Sequence, residues 1–202
     1  MQNKLTLSQR KRLDIIAAAK KEFIEYGFPA ANMTRISSAA AVSKRTLYRH
    51  FESKSVLFES VLSDINDSVM SNTLYQFDQN KSTMQQLKEI TYHEIEVVYS
   101  TNGMPLARTI LLEFLRQPVM ANNLIKSIYN TRAITQWVTQ AIAAGRLKQG
   151  DTKLMTEVYV SLFQGLLFWP QAMNLDLALT DNEIKDKVDT VTSVFIKSYG
   201  LK

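Results

Sequence analysis

Residues Ser37–Lys54 read SSAAAVSKRTLYRHFESK. Small and apolar residues fill the first half, and charge crowds the second. Asn32 is placed to cap a helix from Met33 to about Ala40, and Ser43 to cap another from Lys44 to His50. Between them stands "AVS", a gap of the length found in a helix-turn-helix. A preceding helix from Ser8 to Tyr26, ending at Gly27, carries Ile15, Ile16, Ala19 and Phe23 at helical spacing. One shared core for three such helices is available from Ile15, Ala19, Phe23, Ile36, Ala40, Val42, Leu47 and Phe51. Packed that way, the third helix presents Lys44, Arg45, Thr46 and Arg49 outward, free to enter a DNA major groove roughly 12 Å wide. Arg suits a bidentate contact with guanine. Tyr48, His50 and Lys54 suit phosphate oxygens. The plainer reading of the same residues is a short, solubilising surface helix.

Charge favours the first reading. Residues 1–60 hold eleven Lys or Arg against five Asp or Glu, while residues 61–202 hold thirteen against fourteen. The net charge of +5 therefore sits entirely in the first third, as expected when one subdomain meets a polyanion. There is no Cys among the 202 residues, which excludes disulfides, thiolate metal sites and Cys nucleophiles. The start of the chain lacks a signal-peptide core, and no apolar run approaches the roughly 20 residues that span a bilayer. A cytoplasmic location is the expectation. No GxGxxG, P-loop, HExxH or Gly-x-Ser-x-Gly pattern occurs, and there are only two His. An enzyme is not expected, nor are catalytic residues, a cofactor or a metal.

The remainder also reads as helix. "FESK" precedes a long fourth helix beginning near Lys54. Ser82, with Gln85 at capping-box spacing, begins a fifth helix running to about Ser100. After "TNGMP" a sixth runs through Phe114. Pro118 opens a seventh that ends in "AAGRLKQGD". An eighth, from about Thr152 to Trp169, stops at Pro170. Thr180 with Glu183 opens the ninth, which shows Ile184, Val188, Val191 and Phe195 on one face.

The stretch from Arg12 to Val61 resembles the N-terminal domain of the TetR/AcrR family of transcriptional regulators. The residues that carry the resemblance are Ile15, Ala18, Ala19, Phe23, Glu25, Gly27 and Phe28. They continue with Ile36, then Ala40-Ala41-Val42-Ser43, Thr46-Leu47-Tyr48 and Phe51-Glu52-Ser53-Lys54. The rest resembles the family more loosely, through the nine-helix order and "AAGRLKQGD". The resemblance implies an all-α, TetR-like nine-helix fold. Residues 8–53 would be the helix-turn-helix DNA-binding domain, and residues 54–202 a helical regulatory and dimerisation domain. The DNA-binding set is then Ser43, Lys44, Arg45, Thr46, Tyr48, Arg49, His50 and Lys54. Two departures stand out. Ala41 occupies the turn position where the family usually has Gly; if its φ is positive, the cost is about 1 kcal/mol. Arg45 stands where a small residue is common.

The resemblance further implies a homodimer through the eighth and ninth helices, on a pseudopalindromic double-stranded operator. The eighth helix, TKLMTEVYVSLFQGLLFW, is apolar on more than one side, and Gly165 permits close approach. It also implies a small-molecule effector, expected to be apolar or amphipathic and to release a repressor from DNA. Expected effector contacts, in a cavity enclosed by the fifth to eighth helices, are Glu94, Met104, Arg108, Phe114, Met120, Trp137, Phe163, Phe168 and Trp169. Each of the apolar ones reads equally as core. Glu94 interrupts the stripe Leu87, Ile90, Val97 and Val98. It suits a cationic ligand, or an ion pair with Arg108 or Arg116. The alternative is an effector-independent DNA-binding protein with a structural or architectural role.

Overall fold

The computed structural model describes residues 6–70, 72–118, 133–174 and 178–201. Among these residues the chain is helical, and the one extended pairing is an antiparallel bridge between Leu147 and Gly200. The first helices are α1 (Leu7–Ala30), α2 (Met33–Ala39), α3 (Lys44–His50) and α4 (Lys54–Met70). A 3-10 turn, Thr73–Tyr75, follows, and then α5 (Thr83–Tyr99), α6 (Gly103–Arg116) and α7 (Ala133–Ala143). Helix α8 comprises Thr152–Phe163, a π turn Gln164–Phe168 and a last stretch Trp169–Met173; α9 is Asp181–Tyr199. The first half of the expected seventh helix, with Met120, lies outside the described residues.

The chain divides into two compact units, Met1–Val69 with Arg108–Ser127 and Met70–Ala107 with Ile128–Lys202. In the first, α1 begins earlier than its apolar spacing suggests. Thr6 Oγ1 accepts from Gln9 N at 3.1 Å and Gln9 Oε1 accepts from Thr6 N at 2.8 Å, a complete capping box. The helix breaks at Gly27, where φ is 68° and ψ 166°, a conformation that essentially only Gly adopts. Ile15, Ala19, Phe23, Ile36, Ala40, Leu47 and Phe51 are all buried in one core, and Val42 packs against it. Leu57, Phe58 and Val61 of α4 complete that core, with the Phe23 and Phe58 rings edge to face at 5.1 Å. Ile110 and Phe114 of α6 pack on it too.

The second unit is built around Leu87 and Ile90 of α5, Trp137 and Val138 of α7, Tyr159 and Phe163 of α8, and Val188, Val191 and Phe195 of α9, all buried. Helix α8 does not stop at Pro170. The π turn before it carries the chain on to Met173, with Trp169 N donating to Gln164 O. Pro170 then falls in the first turn of the resumed helix, where a missing N–H costs little. The widened turn leaves carbonyls to be satisfied from outside, and Tyr99 Oη donates to Leu167 O at 2.6 Å. Helix α9 opens on a capping box between Thr180 and Glu183. Its far end is tied down by Lys148 N to Tyr199 O at 2.8 Å and Leu201 N to Arg146 O at 3.1 Å.

Candidate nucleic-acid interface

The turn between α2 and α3 is set by hydrogen bonding. Val42 N donates to Ser37 O at 3.0 Å and Ala41 N to Ser38 O at 3.1 Å, the paired bonds of a Schellman motif. Its left-handed position is Ala41, at φ 52°. Ser43 Oγ then accepts from Thr46 N at 3.1 Å and caps α3. Leu47, fully buried, pins the inner side of α3, while Lys44, Arg45 and Arg49 are exposed and Tyr48 is 49% exposed. Lys44 with Tyr48 and Arg45 with Arg49 are each four residues apart, so the four share one outward face. Thr46 is half-buried, its Oγ1 2.9 Å from Ser43 Oγ, and so turns partly away from that face.

The connection from α1 to α2 is held from both sides. Glu22 is buried, and its Oε1 accepts from Asn32 N at 2.8 Å and Arg35 Nε at 2.9 Å. Arg35 Nη2 also donates to Ala30 O at 2.9 Å, and the guanidinium lies 4.1 Å from the Tyr26 ring centroid. Lys54 Nζ donates to Pro29 O at 2.9 Å and to Ala31 O at 3.1 Å, over the face of Phe28. Lys54 therefore ties the start of α4 to the connection between α1 and α2, with two of its three N–H groups engaged. His50 is half-buried, and burial, then the charges of Arg49, Arg12 and Lys11, push its imidazole below the ordinary histidine range. Arg12, with its guanidinium carbon 5.2 Å from the Phe51 ring centroid, joins this basic surface from α1. Neither Arg12 nor Lys11 is among the residues expected from the sequence. The signal was the run "QRKR", in which Lys11 and Arg12 stand about one helical turn before the buried Ile15 and about two before Ala19.

The described residues expected to meet an effector fall in both units. Phe114 packs on the core of the first unit, to which Arg108 also belongs. In the second unit Met104, Trp137 and Phe163 are buried, Phe168 is half-buried, and Trp169 is 38% exposed. Trp137 Nε1 donates to Gln86 Oε1 at 3.2 Å. Glu94 is half-buried and accepts from Tyr75 Oη at 3.2 Å. Near it Tyr159 Oη lies 3.1 Å from Thr91 Oγ1, and burial, with the charge of Glu94 adding to it, raises both phenols well above their ordinary range. Two open concavities are seen in this unit. One of about 420 Å³ is lined by Asn72, Asp78, Lys81, Glu89 and His93, and one of about 520 Å³ by Lys88, Asp186 and Asp189. None of the expected effector residues among the described ones lines either. Among the described residues no group of three or more His, Asp or Glu is placed to hold a metal ion, and no helix is long and apolar enough to cross a membrane.

Comparison with known proteins agrees with this geometry. The family model for bacterial regulatory proteins of the TetR family matches residues 15–61. The model for the C-terminal domain of AefR-like transcriptional repressors matches residues 85–201, more than half of the chain. Among curated proteins, the HTH-type transcriptional regulator UidR of Escherichia coli K12 is 40% identical over 62 residues, 31% of this chain and 32% of UidR. The chain thus spans about a third of the length of the curated relatives it matches. A solved structure from Mesorhizobium loti, ascribed to the TetR family, has the same fold: TM-score 0.82, 23% identity, covering 98% of this chain and 100% of that one. The flavonoid-responsive regulator FrrA gives a TM-score of 0.72 at 27% identity, covering 96% of this chain and 98% of its own. The chain belongs to the TetR family of bacterial regulatory proteins.

Proposed function

We propose that this protein is a sequence-specific DNA-binding transcriptional regulator that works as a homodimer on a pseudopalindromic operator. The observation that carries the reading is α3. Lys44, Arg45, Tyr48 and Arg49 stand outward over a fully buried Leu47, on a helix capped and oriented by the turn before it. Residues 8–53 read DNA in this account, and residues 54–202 regulate and dimerise. Arg45 and Arg49 read base edges; Ser43, Thr46, Tyr48, His50 and the remaining N–H of Lys54 meet the backbone. Helices α8 and α9 form the dimer contact. In support, α8 leaves Leu154, Trp169 and Met173 exposed, α9 leaves Val194 exposed, and a Cβ at Gly165 would meet nothing within 4 Å.

The regulator acts in the cytoplasm as a repressor, released by a small apolar or amphipathic effector held in the body. The similarity of residues 85–201 to AefR-like repressors and the flavonoid response of FrrA support this. The ligand weakens DNA binding and by reciprocity binds less tightly to the DNA-bound dimer.

Selection of binding sites from a random duplex library tests the reading. The parent protein should enrich a two-fold symmetric sequence. Arg49→Ala should relax one position of each half-site and cost roughly 1–3 kcal/mol on the parent's site. Tyr48→Phe should weaken all sequences alike. Failure of the parent to enrich any sequence would overturn the proposal.

A further inference from the structure

The outward face of α3 continues onto α1. Arg12 lies in the second turn of α1, and its guanidinium stacks on Phe51, the 1% exposed residue that ends α3. The stack fixes an exposed cation beside the C-terminal end of the recognition helix. Lys11, half-buried, precedes it. His50 occupies the same corner. Its ring centroid is 6.3 Å from that of Phe51, and its Nε2 is buried with no hydrogen-bond partner. The charges acting on His50 are Arg49 from its own helix and Arg12 and Lys11 from α1, all positive. Like charges gathered around an unpartnered ring nitrogen repel one another, and a polyanion relieves that repulsion.

We propose that Lys11, Arg12 and His50 form a phosphate clamp at the C-terminal end of α3, and that His50 takes up a proton from solvent when a backbone phosphate occupies it. This rests on the DNA-binding reading above. In the free protein, burial and the three cations hold the imidazole neutral. A phosphate offsets the cations and presents an acceptor. Its negative charge favours the protonated imidazole over the neutral one. The sign follows from linkage. The DNA-bound protein holds its His50 proton more tightly than the free one, so binding tightens as pH falls through the bound pKa. It levels off below the free pKa, and each unit of difference between them is worth tenfold in affinity.

The test uses the full-length protein and a mixed-sequence duplex of about 40 base pairs, because phosphate contacts act on any sequence. Affinity is measured from about 50 to 200 mM salt and from about pH 5.5 to 8. Arg12→Gln and Lys11→Gln should each lower the slope of log K against log salt by about one, and Arg12→Lys should restore it. His50→Gln should abolish the tightening that the parent shows at low pH. The chain has only two His, so NMR titration of the parent resolves both. The pKa of His50 should rise when the duplex is added. Unchanged salt slopes in both α1 variants would overturn the clamp. A pKa of His50 unmoved or lowered by DNA would overturn the proton uptake. A parent that keeps its operator preference through either failure leaves the regulator standing; a parent that binds no duplex at low salt loses both.

Discussion

At the scale of the residue, Ala41 is where local cost and family habit meet. Its φ of 52° is the left-handed value that L-residues other than Asn and Asp rarely take. The sequence signals the position, because a Gly is usual there, but only the backbone shows that the strain is present. Glycine would remove a penalty of roughly 1–2 kcal/mol and add about 0.5–1 kcal/mol of unfolded-state entropy. Ala41→Gly should therefore stabilise the protein by about 0.5–1 kcal/mol and leave operator choice unchanged, seen as a higher denaturant midpoint at constant m. A variant no more stable than the parent would mean that the Schellman turn relaxes elsewhere. Lys54 shows the opposite limit of sequence reading. A lysine after Phe-Glu-Ser reads as a phosphate ligand, yet it is the carbonyls of Pro29 and Ala31, 25 and 23 residues earlier, that take two of its N–H groups. Nothing in a local pattern encodes so distant a partner. Arg12 is the converse case, unremarkable in a basic run until Phe51 is seen beneath it.

Elements were legible where caps and period agree. Asn32, Ser43 and Thr180 cap the helices their spacing suggests, and seven of the eight expected core residues of the first unit are buried in its larger core, with Val42 packed against it. Ser82 caps α5 through Gln85 N, but the Gln85 side chain reaches Glu89 instead of returning to the cap. The end of α8 was not legible. Proline reads as a helix stop because its ring clashes with the carbonyl four residues back. The π turn avoids that clash, and its extra carbonyl finds Tyr99, a residue 68 positions away. Tyr99→Phe should leave Leu167 O short of a donor and cost about 1–2 kcal/mol, with the loss concentrated in faster amide exchange over 164–173. Burial pushes the Tyr99 phenol up to about 12. Its folded pKa is raised, so its contribution to stability is present below the ordinary tyrosine range and is lost as pH rises towards 12. An ultraviolet titration should show its ionisation as a late step that is missing in Tyr99→Phe.

At the scale of the molecule, charge and apolar surface divide the labour. The excess of positive charge lies in residues 1–60, where α3 exposes three cations, while α8 exposes Leu154, Trp169 and Met173 in a segment of balanced charge. Composition made the first half of this legible. No effector site was legible in the body, because Met and aromatic residues fill cores and pockets alike. Gly165→Leu separates fold from assembly. A Cβ there meets nothing within 4 Å among the described residues, so the melting behaviour of a dilute monomer should hold while dimer affinity falls at least about tenfold by sedimentation. Unchanged dimerisation would place the contact elsewhere. The central claim is that two copies of α3 read one operator, and the most direct measurement is affinity together with stoichiometry on a selected site. At near-physiological salt, two protomers should bind one pseudopalindromic duplex about a thousandfold or more tighter than a scrambled duplex of the same composition. Equal affinity for the two duplexes, or saturation at a single protomer, would contradict it.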